Sequence, residues 1–494
     1  MIPGRSTVRT CRDPVIGGSH PHPSVCRVGD DYYLVCSSFE HFPGVPIFHS
    51  RDLVHWRQIG NVLSRPEQLR LSADTPASRG IHGPTIRYHR GRFRVIATNM
   101  SAGGNFVVTA DRPWGRWSDP VWIDLPGVAP DLAWDENGNC WCTTSDGHMA
   151  RIHPDTGTVL EGPWRTWRGS DRQYPEAPRL CHVGDWWYLL FKYGHALAVA
   201  RARTPRGPFE PAPGSLSDTS RPIRSTGRAD LVTTPDGAWW LVLPGTREHP
   251  SGFHVLGQEV FLTPVRWENE WPVVDEAAET PTPGELHPPL PARDDFDEFV
   301  LAPSWISPRG RPDGSWSLTE RPGWLTLRAT GDTLDRPGCT FVGRRLAHLD
   351  SRVSVRMDPG TARAGLSIRR DEAHHYDFEV VPGRVDVVAR IGPVRQVVAS
   401  RTTHPGPVTL TVVTRTTDLV PPSFVRPTDE PTGIEPAGPD TIAFHVDSDP
   451  GPLAELDGRY LSPEVTGGAA GRVVGMYVTR GVAAFDWFDY RGLG

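Results

Sequence analysis

Five similar segments recur through the first half of the chain, and their spacing restricts the fold more than any other feature. They begin at Pro23, Pro84, Pro130, Pro178 and Ala229. Each is a short apolar run, a turn containing Gly or Asp, and an aromatic-rich run, as in Pro-Arg-Leu-Cys-His-Val-Gly-Asp-Trp-Trp-Tyr from Pro178. The successive starts lie 61, 46, 48 and 51 residues apart. A period of this length points to a repeat architecture, and four-stranded blades fit it. Blades around an axis bring equivalent positions into one central ring. The residues one or two places upstream of the segments, His22, His82, Ala129, Glu176 and Arg228, are therefore expected to face one another.

Runs such as Tyr32-Tyr33-Leu34-Val35 and Trp239-Trp240-Leu241-Val242 read as strands, and no long stretch has helical periodicity. The 51 Pro, 50 Gly and 18 Trp residues supply the turns and aromatic cores of an all-β chain. Residues 10–274 are expected to form a five-bladed β-propeller. Residues 275–291, rich in Pro, Glu and Thr, read as a linker. Short alternating segments such as Trp324-Leu325-Thr326-Leu327 fill residues 292–494 without blade spacing, so a β-sandwich of the jelly-roll or concanavalin-like kind is expected there.

The net charge of -6 comes without a basic stripe, which argues against nucleic acid and anionic membranes as partners. Lys192 is the only lysine, which reads as base-composition bias. Seven scattered cysteines make no disulfide framework. Cys140 and Cys142 lack the second pair that a zinc site needs and read as small core residues. The N-terminus shows no apolar signal region and no run reaches membrane-spanning length, so a cytoplasmic location is expected. Self-association is left open.

Four stretches together resemble glycoside hydrolase family 43. They are Gly18 to Tyr33, Ser37 to Trp56, Tyr-Pro-Glu-Ala-Pro-Arg-Leu (Tyr174 to Leu180) and Leu-Gly-Gln-Glu-Val-Phe-Leu (Leu256 to Leu262). The resemblance is to members of the β-xylosidase and α-L-arabinofuranosidase type, and covers nearly the whole chain. It implies a five-bladed propeller with a C-terminal sandwich, and hydrolysis of a small glycoside from its non-reducing end. Inverting glycosidases use one carboxyl group as acid and another as base. Glu176 matches the family's general acid. Where the resemblance implies an Asp base between two prolines, this chain has His22. An imidazole accepts a proton near neutral pH but gives no negative charge to an oxocarbenium-like transition state.

The third carboxylate of the family, which tunes the acid, is displaced in the same way. Its position holds Ala129, and Asp131 follows two residues later. Positions i and i+2 of a strand share a face, so Asp131 is a second candidate base, reaching the cavity from deeper along the strand. Asp230 stands at the same repeat position and supports a structural reading of Asp131 instead. The resemblance also implies substrate contacts: Phe39 matches the family's aromatic lining, His82, Arg228 and Gln258 stand where the family has an aromatic platform, a histidine and a substrate-binding arginine, and His195 follows Gly194 without the family's Glu-Gly-Gly-Thr stretch. A guanidinium near the axis disfavours a bound calcium there. His20, His22, His82 and His195 also admit a zinc reading, but no compact ligand motif supports it, and no metal or cofactor is expected. Two other functions stay open: non-hydrolytic acid–base chemistry such as cyclisation, elimination or isomerisation on the same scaffold, and sugar binding without catalysis.

Overall fold

The structure, a computed structural model, describes residues 13–68, 71–166, 175–193, 196–216, 223–225, 227–274, 292–331, 333–418, 438–447 and 449–493. Two compact units divide the chain. The first takes residues up to 71, 79–246 and 258–288; the second takes 72–78, 247–257 and 289–494. Two short segments of the expected propeller range, 72–78 and 247–257, thus belong to the second unit. The expected linker lies outside the described residues.

Five antiparallel sheets make the first unit a five-bladed β-propeller. The first blade runs Ser24–Val28, Asp31–Val35, Gly44–Ser50 and Arg57–Leu63. The second runs Ile81–His89, Arg92–Asn99, Gly104–Ala110 and Val121–Ile123. The third runs Asp131–Trp134, Cys140–Thr144, His148–Ile152 and Val159–Arg165. The fourth runs Glu176–Val183, Trp186–Tyr193, Ala196–Ala202 and Glu210–Pro211. The fifth contains Ile223–Ser225, Asp230–Thr233, Trp239–Arg247, Glu259–Glu268 and Trp271–Val274.

Blade strands are apolar on both faces because each face packs on a different neighbour. Successive side chains of a strand point to opposite faces. Leu189 and Phe191 therefore join Trp141 and Met149 of the third blade. Tyr188 and Leu190, one residue out of phase, join Leu241 and Val265 of the fifth. Tyr33 and Val35 pack on Ile86 and Phe93. Ile96 and Val107 meet Leu132 and Cys142, and Val25 and Leu34 meet Val242 and Leu262. These contacts close a ring of five interfaces. Each fully buried large apolar side chain contributes about 1.5–3 kcal/mol. Cys140 and Cys142 lie in this core, with burial pushing both thiols upward. The N-terminal segment adds to the closure: the Val15 N–H donates to the Val260 carbonyl at 2.8 Å.

The second unit is a β-sandwich. One sheet of eight strands is built around Ser351–Asp358 and Val482–Gly492. The other has the order Thr340–Arg345, Val473–Arg480, Arg363–Arg369, His374–Val381, Arg384–Ile391 and Val394–Thr402. Leu366, Phe378, Val387 and Met476 of the six-stranded sheet bury against Val355, Leu410, Phe444 and Phe485 of the other. The alternate residues of its central strand, His375, Asp377 and Glu379, point away from that core. His375 bridges Asp377 (2.9 Å) and Asp335 (3.0 Å).

Candidate active site

The first strands of four blades carry the same irregularity where they reach the axis. His22, Gly83, Ala129 and Ala177 have φ of 54°, 51°, 53° and 48°, and each directly precedes a proline. A residue before proline ordinarily adopts extended backbone. Outside glycine the left-handed region costs on the order of 1 kcal/mol or more and persists only where surrounding structure holds it. In two blades the pairing register jumps here, between His82 and Thr85 and between Glu176 and Arg179. The ring expected from sequence therefore contains two kinds of position. His22 and Ala129 stand at the left-handed residue, whereas His82 and Glu176 stand one residue earlier.

Close contacts run around the ring. The His22 imidazole lies 5.8 Å from that of His82, centre to centre. Cβ atoms built on Gly83 and on Gly227 would fall 2.6 Å from the Ala129 Cβ and 3.9 Å from the His22 Cδ2. Ser145 links the next pair: its N–H donates to the Val128 carbonyl (2.8 Å) and its Oγ accepts from the Ala177 N–H (3.0 Å).

His22 is held through Ser37, a residue that sequence reasoning did not single out. Its Nδ1 lies 2.9 Å from the Ser37 Oγ, which also accepts the Gly83 N–H at 2.9 Å. Burial, and then the charges of His82, Arg228, Lys192 and Arg179, push His22 down to about 3. It is neutral at physiological pH. Phe39 lies beside it, with ring centres 4.6 Å from His82 and 6.2 Å from His22. Phe39 itself has φ of 51° and exchanges two backbone hydrogen bonds with Ile81.

Glu176 begins the first strand of its blade and is exposed. Across the strand pair it faces Lys192, whose Nζ donates to its Oε2 at 3.1 Å. Gln258 contributes its carbonyl to the His20 N–H at 2.7 Å, and its buried Oε1 has no hydrogen-bond partner among the described residues. The Nδ1 of His20 lies 3.1 Å from the Gly17 carbonyl, and its ring packs edge-on against Phe48. His195 lies outside the described residues. Among the described residues, no three His, Cys, Asp or Glu side chains converge as metal ligands.

Two residues beyond each of the left-handed residues, and beyond Arg228, comes a second, buried layer: Ser24, Thr85, Asp131, Arg179 and Asp230. Asp131 belongs to this layer. Its Oδ1 accepts from Arg87 (2.8 Å) and Arg179 (3.3 Å), and its Oδ2 accepts from the Leu180 N–H (2.8 Å). Both oxygens are engaged by protein, as the structural reading requires and a solvent-reaching base does not. Asp230 accepts from Ser24 (2.8 Å) and Arg87 (2.9 Å). Burial opposes its charge, but Arg179 and Arg87 hold it down at about 2. Arg228, fully buried, does not reach outward to a ligand. It donates to the Gly83 carbonyl, the Thr85 Oγ1 and, at 2.6 Å, the Pro130 carbonyl. Burial, then the neighbouring Arg179, pushes it well below the usual guanidinium range. Three guanidinium groups and two carboxylates thus close the axis beneath the ring. The approach of several arginines from different blades was not visible in sequence.

Comparison with known proteins places this geometry. Residues 11–272 match the family model described as "Glycosyl hydrolases family 43", and residues 293–424 match "Beta xylosidase C-terminal Concanavalin A-like domain". A non-reducing end alpha-L-arabinofuranosidase of Bacteroides ovatus, BoGH43B, is 36% identical, covering 98% of this chain and 95% of its own. A xylosidase/arabinosidase of Butyrivibrio fibrisolvens is 35% identical over 77% of this chain and 82% of its own. Among solved structures, the Bacteroides ovatus xyloglucan-locus GH43B superposes with a TM-score of 0.87 at 33% identity, covering 98% and 99% of the two chains. A xylan beta-1,4-xylosidase from Bacillus halodurans superposes with a TM-score of 0.84 at 27% identity, covering 98% and 100%. With its propeller, its sandwich and its likeness to these enzymes, the chain belongs to glycoside hydrolase family 43 and is a glycosidase.

Proposed function

We propose that this glycosidase cleaves a small xyloside or arabinofuranoside from the non-reducing end, with Glu176 as general acid and neutral His22 as general base. The observation that supports the reading is that Lys192, which pairs with Glu176, is among the charges acting on His22, while both Asp131 oxygens are engaged by protein. Glu176 gives its carboxyl proton to the leaving oxygen as the glycosidic C–O bond breaks. Water attacks the anomeric carbon from the opposite face and passes a proton to His22. The free sugar and the alcohol leave, and both groups exchange protons with solvent to complete the cycle.

Ser37 supports this role. When its Oγ takes the Nδ1–H of His22, the lone pair stays on Nε2, where a base needs it. A base held at about 3 is close in strength to an aspartate, near 3.9 in short peptides. It differs in charge. A neutral imidazole does not stabilise positive charge developing on the sugar, so turnover is slower than a carboxylate base would give.

The test is turnover of 4-nitrophenyl β-xyloside and α-L-arabinofuranoside by the wild type, Glu176→Gln and His22→Asp. Wild-type turnover that collapses in Glu176→Gln and rises in His22→Asp supports the assignment. Turnover indifferent to Glu176→Gln, or none in a folded wild type, overturns it.

A further inference from the structure

Lys192 is one lysine among 52 basic residues. At every other cationic position the chain uses arginine, and the single exception lies in the active site. Lysine offers a compact point charge where arginine offers a planar fork. Position 192 faces Glu176 across the first strand pair of the fourth blade, with Nζ 3.1 Å from Oε2.

Stability does not account for this pair. The Lys192 and Glu176 side chains are 31% and 61% exposed, and exposed ion pairs contribute little to stability. Position gives the better explanation. A general acid stands beside the leaving oxygen, so a group that touches the acid borders the leaving group. The surroundings are also cationic: His82, Arg228, Lys192 and Arg179 act on His22 in the same direction. Beneath the ring, Arg87, Arg179 and Arg228 outnumber Asp131 and Asp230.

We infer that Lys192 selects glycosides whose leaving group carries a negative charge, a carboxylate above all, as in a pentosyl unit attached to an acidic sugar. The inference rests on Glu176 being the acid. In the bound state the ligand anion takes the ammonium, and the Glu176 carboxyl turns to the leaving oxygen. Lys192 is then a specificity residue for the leaving-group side.

The probes are 4-carboxyphenyl and 4-carbamoylphenyl β-xylosides and α-L-arabinofuranosides, a charged and a neutral form of nearly one shape. Binding is measured by calorimetry in Glu176→Gln, so that substrate persists, and again with Lys192→Met or Lys192→Gln added. Turnover of the same probes is measured in the wild type and the Lys192 variants. The carboxylate form is expected to bind up to about fivefold more tightly. That preference should shrink at high salt, vanish in Lys192→Met and Lys192→Gln, and partly return in Lys192→Arg. Equal binding of the two forms, or a preference that survives both neutral variants, overturns the inference. A carboxylate preference without turnover of either probe leaves the inference standing and removes the pentosidase reading.

Discussion

Replacing Asp131 with asparagine separates structure from chemistry at the axis. The side chain keeps its volume but loses its charge. In the native protein Oδ1 accepts from Arg87 and Arg179 and Oδ2 from the Leu180 N–H. An asparagine carbonyl can replace one oxygen only. Its NH2 group then faces either a guanidinium or the Leu180 N–H, donor against donor, with Asp131 fully buried. Leaving buried donors unsatisfied costs about 1–3 kcal/mol, and breaking a buried ion pair costs about 3–5 kcal/mol. The two figures describe the same loss and are not summed, so about 3–5 kcal/mol is expected. For a domain of this size, with melting moving about 2–4 °C per kcal/mol, the melting temperature should fall by about 6–20 °C. Thermal unfolding followed by tryptophan fluorescence reads this, with kcat measured below the transition. A melting curve unchanged by Asp131→Asn, with kcat down on the order of a hundredfold or more, would make Asp131 a chemical group and refute the reasoning.

Three further outcomes follow from the charges. Because the folded state holds His22 near 3 against 6.5 for a free histidine side chain, the unfolded chain binds more protons between those values. Stability from this group is complete above about pH 6.5 and is lost as pH falls towards 3; His22→Asn should flatten that slope in acid-denaturation curves, and kcat/KM should show no His22 limb near pH 6.5. His375 behaves in the opposite sense. Burial opposes its charge, but Asp377 and Asp335 raise it to about 9, so its contribution is full below pH 6.5 and is lost as pH rises through 9. His375→Asn should remove that alkaline loss from the unfolding of the sandwich. Finally, Lys192 is the one side-chain amine in this sequence that acetylation can reach. Peptide mapping should show a Lys192 adduct whose formation abolishes any preference for acidic leaving groups, while reductive methylation, which keeps the charge, preserves it.

The blade order was legible because each repeat pairs an apolar run with an aromatic one around a turn, and the structure returns those runs as two consecutive, paired strands of each blade. The ring register was less so. His82 and Glu176 precede a bulge, and a one-residue irregularity leaves no mark in a period of roughly fifty residues. Strand alternation made Asp131 a candidate to share the cavity face with position 129, with a structural role as the alternative. What sequence could not show was that arginines from the second and fourth blades, 44 and 48 residues away in the chain, both donate to its Oδ1 while the Leu180 N–H takes Oδ2. Arg228 was expected at the pocket and instead spends its donors on backbone and Thr85 beneath it. Lys192 read as composition until the strand pairing set it opposite Glu176.

The most direct measurement of the central claim is leaving-group dependence in Glu176→Gln. A leaving group that departs without protonation does not need the acid, whereas a poor one does. The account predicts that Glu176→Gln cleaves 2,4-dinitrophenyl glycosides at rates near the wild type and loses activity on unactivated alkyl glycosides by about a hundredfold or more. An equal loss on both classes, or none on either, would contradict the assignment of Glu176 as the acid.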